Sequence, residues 1–245
     1  MLYMISLGLF DEKDISLRAL ETAKKCSKVY VEFYTTKMNT TARKLSELVG
    51  RDVVEIHRSD MEENSLRLIS PAKTMDICIL VGGDALSATT HCSLLTDAKK
   101  AGIKTSVVHG SSIFSAVAET GLQLYKFGAT TSLARPSGKY FPDSFYDVIL
   151  KNKKIGLHTL VLLDIGMTVR EGLEVLMKIE KKKKGKIGSA KEMVVAACQL
   201  GSDGQKIKYM TIENLLVDEG LSKTPAILVF PGDLHFAEKE FLENL

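Results

Sequence analysis

The sequence predicts an α/β protein made of two α/β domains. Short apolar runs rich in β-branched residues alternate with amphipathic stretches, and the alternation resumes after a turn-rich break near residue 129. With 45% hydrophobic and 26% charged residues among 245, the chain has the composition of an ordinary globular protein. Length alone fits one large domain or two smaller ones. The break therefore carries the division, into 1–128 and 129–245.

Residues 3–7 read as the first buried strand, followed by strands over 29–33, 53–56, 77–81 and 105–109. Between them, residues 15–26 place Ile15, Leu17, Ala19, Leu20 and Ala23 broadly on one helical face, with Arg18, Glu21, Lys24 and Lys25 around it. Residues 87–101 open on a capping-type serine and end in Ala-Gly, which predicts a second helix. This rhythm predicts a mostly parallel sheet covered on both faces. After Tyr125-Lys126-Phe127-Gly128, a β-rich run over 130–134 enters the turn-prone Arg135-Pro136-Ser137-Gly138 and then Phe141-Pro142. Strands follow over 158–165, 193–198, 206–210 and 226–230, with helices over 168–183 and from 236 to the end. The lysine run 181–184 closes a helix, where cations complement the negative end of the dipole without any ligand.

With 33 basic and 30 acidic residues the charge is nearly balanced, which argues against nucleic acid or membrane as the main partner. Cys26, Cys78, Cys92 and Cys198 form no C-x-x-C pair, so they read as reduced, buried thiols of a cytosolic protein. The apolar start lacks a basic leader and runs into Asp11, Glu12 and Asp14, unlike a signal peptide or a membrane span. None of His57, His91, His109, His158 and His235 is paired at i, i+4, so no metal is expected. The dinucleotide fingerprint, the P-loop and the G-x-S-x-G elbow are all missing, which removes the support for hydride transfer, P-loop chemistry and serine hydrolysis.

In a parallel sheet, ligands gather at the carboxyl ends of the strands. Three such ends carry small or polar residues: Gly8-Leu9, Gly82-Gly83-Asp84-Ala85-Leu86-Ser87, and Gly110-Ser111-Ser112-Ile113. Gly82-Gly83-Asp84 alone reads equally as an ordinary strand-to-helix turn. The recurrence of such strand ends points to a cofactor cleft, with Gly82 and Gly83 letting a ligand approach the backbone. His91 reads either as a hydrogen-bonded helix residue or as a substrate contact.

An ordered series of short stretches carries a resemblance over nearly the whole chain. It runs through Leu7-Gly8-Leu9, Asp11-Glu12, Asp14-Ile15, Val31-Glu32-Phe33-Tyr34-Thr35, Gly83-Asp84-Ala85-Leu86 and Ala88-Thr89-Thr90-His91. It continues through His109, Ser112-Ile113, Ser115-Ala116, Gly121-Leu122, Phe141-Pro142, Gly156-Leu157-His158-Thr159-Leu160, Leu163-Asp164-Ile165 and Pro231-Gly232. In these the chain resembles the archaeal type of the diphthine synthase family, in the tetrapyrrole-methylase-like class of S-adenosylmethionine-dependent methyltransferases. Two departures stand out: Ala85 occupies a position where the family commonly has proline, and the loop after Tyr34 is shorter than the family's.

The resemblance implies two α/β domains with S-adenosylmethionine in the cleft between them, a homodimer and a cytoplasmic enzyme. It implies Leu9, Asp84, Ser87, Ser112, Ile113, Leu163, Leu200 and Ala226 as cofactor contacts. The implied substrate is translation elongation factor 2, whose modified histidine bears an aminocarboxypropyl arm that the family methylates on its amine to give diphthine. Methyl transfer from a sulfonium needs alignment, a neutral amine and shelter from water, so no catalytic base is named. Tyr34, His91 and His109 are the candidates for the substrate side. The alternatives are a tetrapyrrole methyltransferase of the same fold acting on a corrinoid precursor, and a non-catalytic module binding RNA or a partner.

Overall fold

The structure, a computed structural model, describes residues 1–138, 140–183, 185 and 187–245. The chain divides into two compact units, Met1–Ala116 and Val117–Leu245. The first unit contains, in order, β1 (Leu2–Ser6), α1 (Leu17–Lys25), β2 (Lys28–Glu32), α2 (Ala42–Val49), β3 (Val53–Ile56), α3 (Arg58–Glu62), α4 (Ser65–Ile69), β4 (Ile77–Val81), α5 (Cys92–Lys100), β5 (Thr105–Val108) and α6 (Ile113–Ala116). Its five strands pair in the order β3-β2-β4-β1-β5, and every pairing is parallel.

The alternation of side chains along a strand divides the apolar residues of β4 between two cores. Ile77, Ile79 and Val81 pack with Met61, Leu68, Ile69 and Leu94 from α3, α4 and α5. Cys78 and Leu80 pack on the other face with Ala19 and Ala23 of α1 and Leu45 and Val49 of α2. Burying each such large aliphatic side chain contributes about 1.5–3 kcal/mol, which explains why β4 is apolar at every position. The sheet is thus covered on both faces, as its sequence pattern predicts.

All five strands lie within one residue of their expected bounds. The helices agree less well. Helices α2, α3 and α4 fall in segments where the sequence reading placed none. The helix expected over 87–101 starts only at Cys92. Ala88 sits at φ 57°, a left-handed conformation that a right-handed helix excludes, and Asp84 draws the Leu86 amide and the Ser87 hydroxyl into a turn instead. His91 therefore precedes the helix rather than lying inside it.

The second unit contains β6 (Thr131–Leu133), α7 (Ser144–Lys154), β7 (Thr159–Leu163), α8 (Val169–Lys183), β8 (Met193–Cys198), β9 (Lys206–Thr211), α9 (Ile212–Val217), β10 (Ala226–Phe230) and α10 (Phe236–Glu243). The sheet order is β6-β7-β10-β8-β9. Only β6 and β7 are parallel, so this sheet is mixed where the first is not. Phe145 and Ile149 of α7, Leu173 and Leu176 of α8 and Ile212 and Leu215 of α9 close one core over Val194, Ala196 and Leu228. Helices α7 and α9 were not expected.

Residues 117–128 join this unit through partly buried polar contacts. The Gln123 amide donates to Glu238 at 2.9 Å, the Lys126 ammonium reaches the same carboxylate at 2.6 Å, and the Gly128 amide donates to the His158 carbonyl at 2.9 Å. Lys181, Lys182 and Lys183 form the last turn of α8, and Lys183 pairs with Asp143 and Asp147; Lys184 lies outside the described residues. Of the cysteines, Cys26, Cys78 and Cys198 are buried as expected, but Cys92, in the first turn of α5, is exposed. Among the described residues no helix is long and apolar enough to cross a membrane.

Candidate active site

The carboxyl edge of the first sheet brings three separate strand ends onto one side chain, Asp84. Its Oδ1 accepts from the Leu86 amide at 3.1 Å and the Ser87 hydroxyl at 3.2 Å. Its Oδ2 accepts from the Ser6 hydroxyl at 3.5 Å, His109 Nδ1 at 2.8 Å and the Gly110 amide at 3.2 Å. Ser6 ends β1, Asp84 follows β4, and His109 and Gly110 follow β5. Burial works to raise the Asp84 carboxyl, but His109 and the Leu86 and Gly110 amides outweigh it and hold the group below its ordinary value. The carboxylate that the resemblance implies as a cofactor contact therefore already accepts five hydrogen bonds from its own chain.

Gly8 and Gly83 exchange two backbone hydrogen bonds, at 3.1 and 2.7 Å, which ties the end of β1 to the end of β4. Both adopt positive φ, 90° and 68°, where only glycine sits without strain. A side chain on Gly83 would meet nothing, so a ligand can approach that backbone. Gly82 differs: the space it leaves is filled by Thr36 and Met38, so its missing side chain serves internal packing and not a ligand as the sequence suggested.

Ser112 is buried and caps the short α6, accepting from the Phe114 amide at 3.2 Å through its hydroxyl. Leu9, Asp84, Ser87, Ser112 and Ile113 thus share one sheet edge. In the second unit the register pairs Ala226 with Cys198, two residues before Leu200, and Ile227 with Leu162, one before Leu163. Leu163, Leu200 and Ala226 are accordingly gathered at one edge of that sheet, although 63 residues separate the first from the last.

A second cluster surrounds Glu32, at the end of β2. Its carboxylate is completely buried and accepts four donors: the Tyr34 amide at 3.0 Å, the Thr35 amide at 3.1 Å, the Thr35 hydroxyl, and His91 Nε2 at 3.2 Å. His91 is 2% exposed and Tyr34 packs edge-on to it, with ring centroids 6.0 Å apart. His109, by contrast, keeps its side chain 71% exposed beside Asp84. The sequence reading did not single out Ser6 or Glu32 as functional. A lone carboxylate inside the apolar run Val29-Tyr30-Val31-Glu32-Phe33 was the available signal for Glu32, since such a charge is retained in a core only when fully bonded.

Residues 1–216 match the family described as Tetrapyrrole (Corrin/Porphyrin) Methylases. A diphthine synthase of Methanococcus aeolicus is 42% identical over 252 residues, covering 100% of this chain and 98% of the relative. The chain belongs to the diphthine synthases, within the tetrapyrrole methylases. A diphthine synthase of Methanocaldococcus jannaschii shows the same 42% identity over 254 residues, covering 100% of the chain and 98% of the relative. A crystal structure of a diphthine synthase superimposes with a TM-score of 0.89 at 35% identity, spanning 99% of this chain and 94% of that one. As a diphthine synthase the chain is a methyltransferase, and both of its sheets fit the fold of that family.

Proposed function

We propose that this methyltransferase transfers methyl groups from S-adenosylmethionine to the amine of the aminocarboxypropyl-modified histidine of translation elongation factor 2, forming diphthine in the cytoplasm. The observation that carries this reading is the 42% identity to diphthine synthases over the full chain.

The residues at the first sheet's carboxyl edge suit such a cofactor. Open backbone at Gly83, hydroxyls at Ser87 and Ser112, and apolar side chains at Leu9 and Ile113 match a ligand that combines a ribose with a flat base. Leu163, Leu200 and Ala226 carry their assignment from the family resemblance. The bound cofactor supplies a methyl on a sulfonium, an electrophile that needs no metal. The chain's own work is then alignment and exclusion of water, terms that together supply several kcal/mol. Asp84 acts by holding three strand ends in place, so that the open backbone at Gly83 and the side chains that follow the strands keep their positions.

The test is the intact mass of elongation factor 2 carrying the aminocarboxypropyl-histidine after incubation with the protein and S-adenosylmethionine. Steps of one methyl each support the reading and count the transfers. An unchanged mass, with cofactor binding verified, redirects the assignment to a tetrapyrrole acceptor.

A further inference from the structure

A segment that none of the proposed cofactor contacts occupies spans residues 34–39 and is fastened at three points. Glu32 holds the Tyr34 and Thr35 amides. Thr36 and Met38 fill the space above Gly82. The Asn39 amide donates to the Phe10 carbonyl at 2.7 Å, next to Leu9. His91 locks Glu32 from the start of α5. This strap lies over the ends of β2, β4 and β1, whereas the Asp84 hub gathers β1, β4 and β5. With the strand order β3-β2-β4-β1-β5, the two features sit side by side along the sheet edge, so a cofactor held toward β5 leaves the β2 side for the acceptor.

One group on the strap lacks a partner. The Tyr34 hydroxyl is closed off from solvent and meets no hydrogen-bond partner, although its ring packs against His91 and lies 5.4 Å beneath the Arg58 guanidinium. A buried unpaired hydroxyl costs stability, and phenylalanine would fill the same space without that cost. Its use therefore lies outside the folded protein's own packing. Burial, then Glu32 and Glu62, push the phenol up to about 12, so it stays neutral, and the same two carboxylates favour a nitrogen donor over an anion beside it. The Arg58 side chain over the ring is 68% exposed and lies 3.7 Å from the Glu62 carboxylate, so solvent reaches that side of Tyr34.

We propose that Tyr34 recognises the acceptor, its hydroxyl oxygen accepting an N–H from the amine that receives the methyl, with Glu32 and His91 as the positioning pair. This rests on the amine acceptor proposed above. The test compares wild type and Tyr34→Phe on three readouts: KM for the aminocarboxypropyl-modified elongation factor, Kd for S-adenosylmethionine by calorimetry, and Tm. Loss of one hydrogen bond predicts an acceptor KM raised about tenfold, with Kd unchanged and Tm unchanged or higher. If wild type methylates the factor and the variant keeps its KM, or loses cofactor affinity by the same factor, the role of Tyr34 is overturned. If wild type transfers nothing to the factor, the acceptor reading falls and this proposal with it.

Discussion

His158 donates its Nε2–H to Glu238 across 3.0 Å while its Nδ1 accepts the Gly232 amide at 2.9 Å, and neither side chain is more than 1% exposed. An imidazole that accepts at one nitrogen and donates at the other is neutral, so this pair fixes both tautomer and charge. Glu238 also accepts from Lys126, Gln123 and His235, which joins the entry of β7, the segment 123–126 and α10 in one network.

That network makes stability fall on acidification. Burial alone would raise the Glu238 carboxyl, but Lys126 and the surrounding amides bring it down to about 2 from an ordinary 4.5. Burial also lowers His158, against the pull of Glu238. Both folded-state values are depressed, so both contributions are complete above the unfolded-state values and are lost as pH drops. Tm should decline modestly below about pH 6.5 and more steeply between about 4.5 and 2. Glu238→Gln should cost about 2–3 kcal/mol at neutral pH and flatten the acid limb, as measured by denaturant titration across pH.

Asp84→Ala should lower both cofactor affinity and Tm, because five donors lose their acceptor and three strand ends lose their common anchor. The stranded Ser6 hydroxyl, which is buried, costs about 1–3 kcal/mol, and the other four, which water can reach, cost less. An affinity that stays unchanged by calorimetry would remove Asp84 from the site.

Gly8→Ala and Gly83→Ala should separate folding from binding. At Gly8 a methyl group collides with Asp14 and the backbone is left-handed, so a loss of about 2 kcal/mol or more is expected. At Gly83 the methyl meets nothing, so only left-handed strain of about 1 kcal/mol remains. A cofactor that approaches this backbone should nevertheless bind Gly83→Ala at least tenfold more weakly, whereas equal binding would place it elsewhere.

His91→Ala should destabilise the first unit by about 1–3 kcal/mol, since it leaves Glu32 buried with one donor fewer. His91→Gln, which can still donate to that carboxylate, should recover part of the loss in Tm.

The sequence by itself determined the two sheets and the strand-end turns at which the candidate site residues of the first unit gather. Strands such as β4, apolar throughout and bounded by turn residues, declare themselves locally because burial on both faces demands a continuous run. The Gly and Ser turns that end β1, β4 and β5 are equally local signals. The short helices α3 and α4, by contrast, owe their existence to packing on the sheet, and five residues carry too little periodicity to read. Tertiary structure alone decided the partners. It joins Glu32 to His91 across 59 residues, bonds Asp84 to strand ends more than 70 residues apart, and gives the gap at Gly82 to Thr36 and Met38. Hydrogen bonds and close packing are met between groups that only the folded chain makes neighbours, and no spacing along the sequence encodes them.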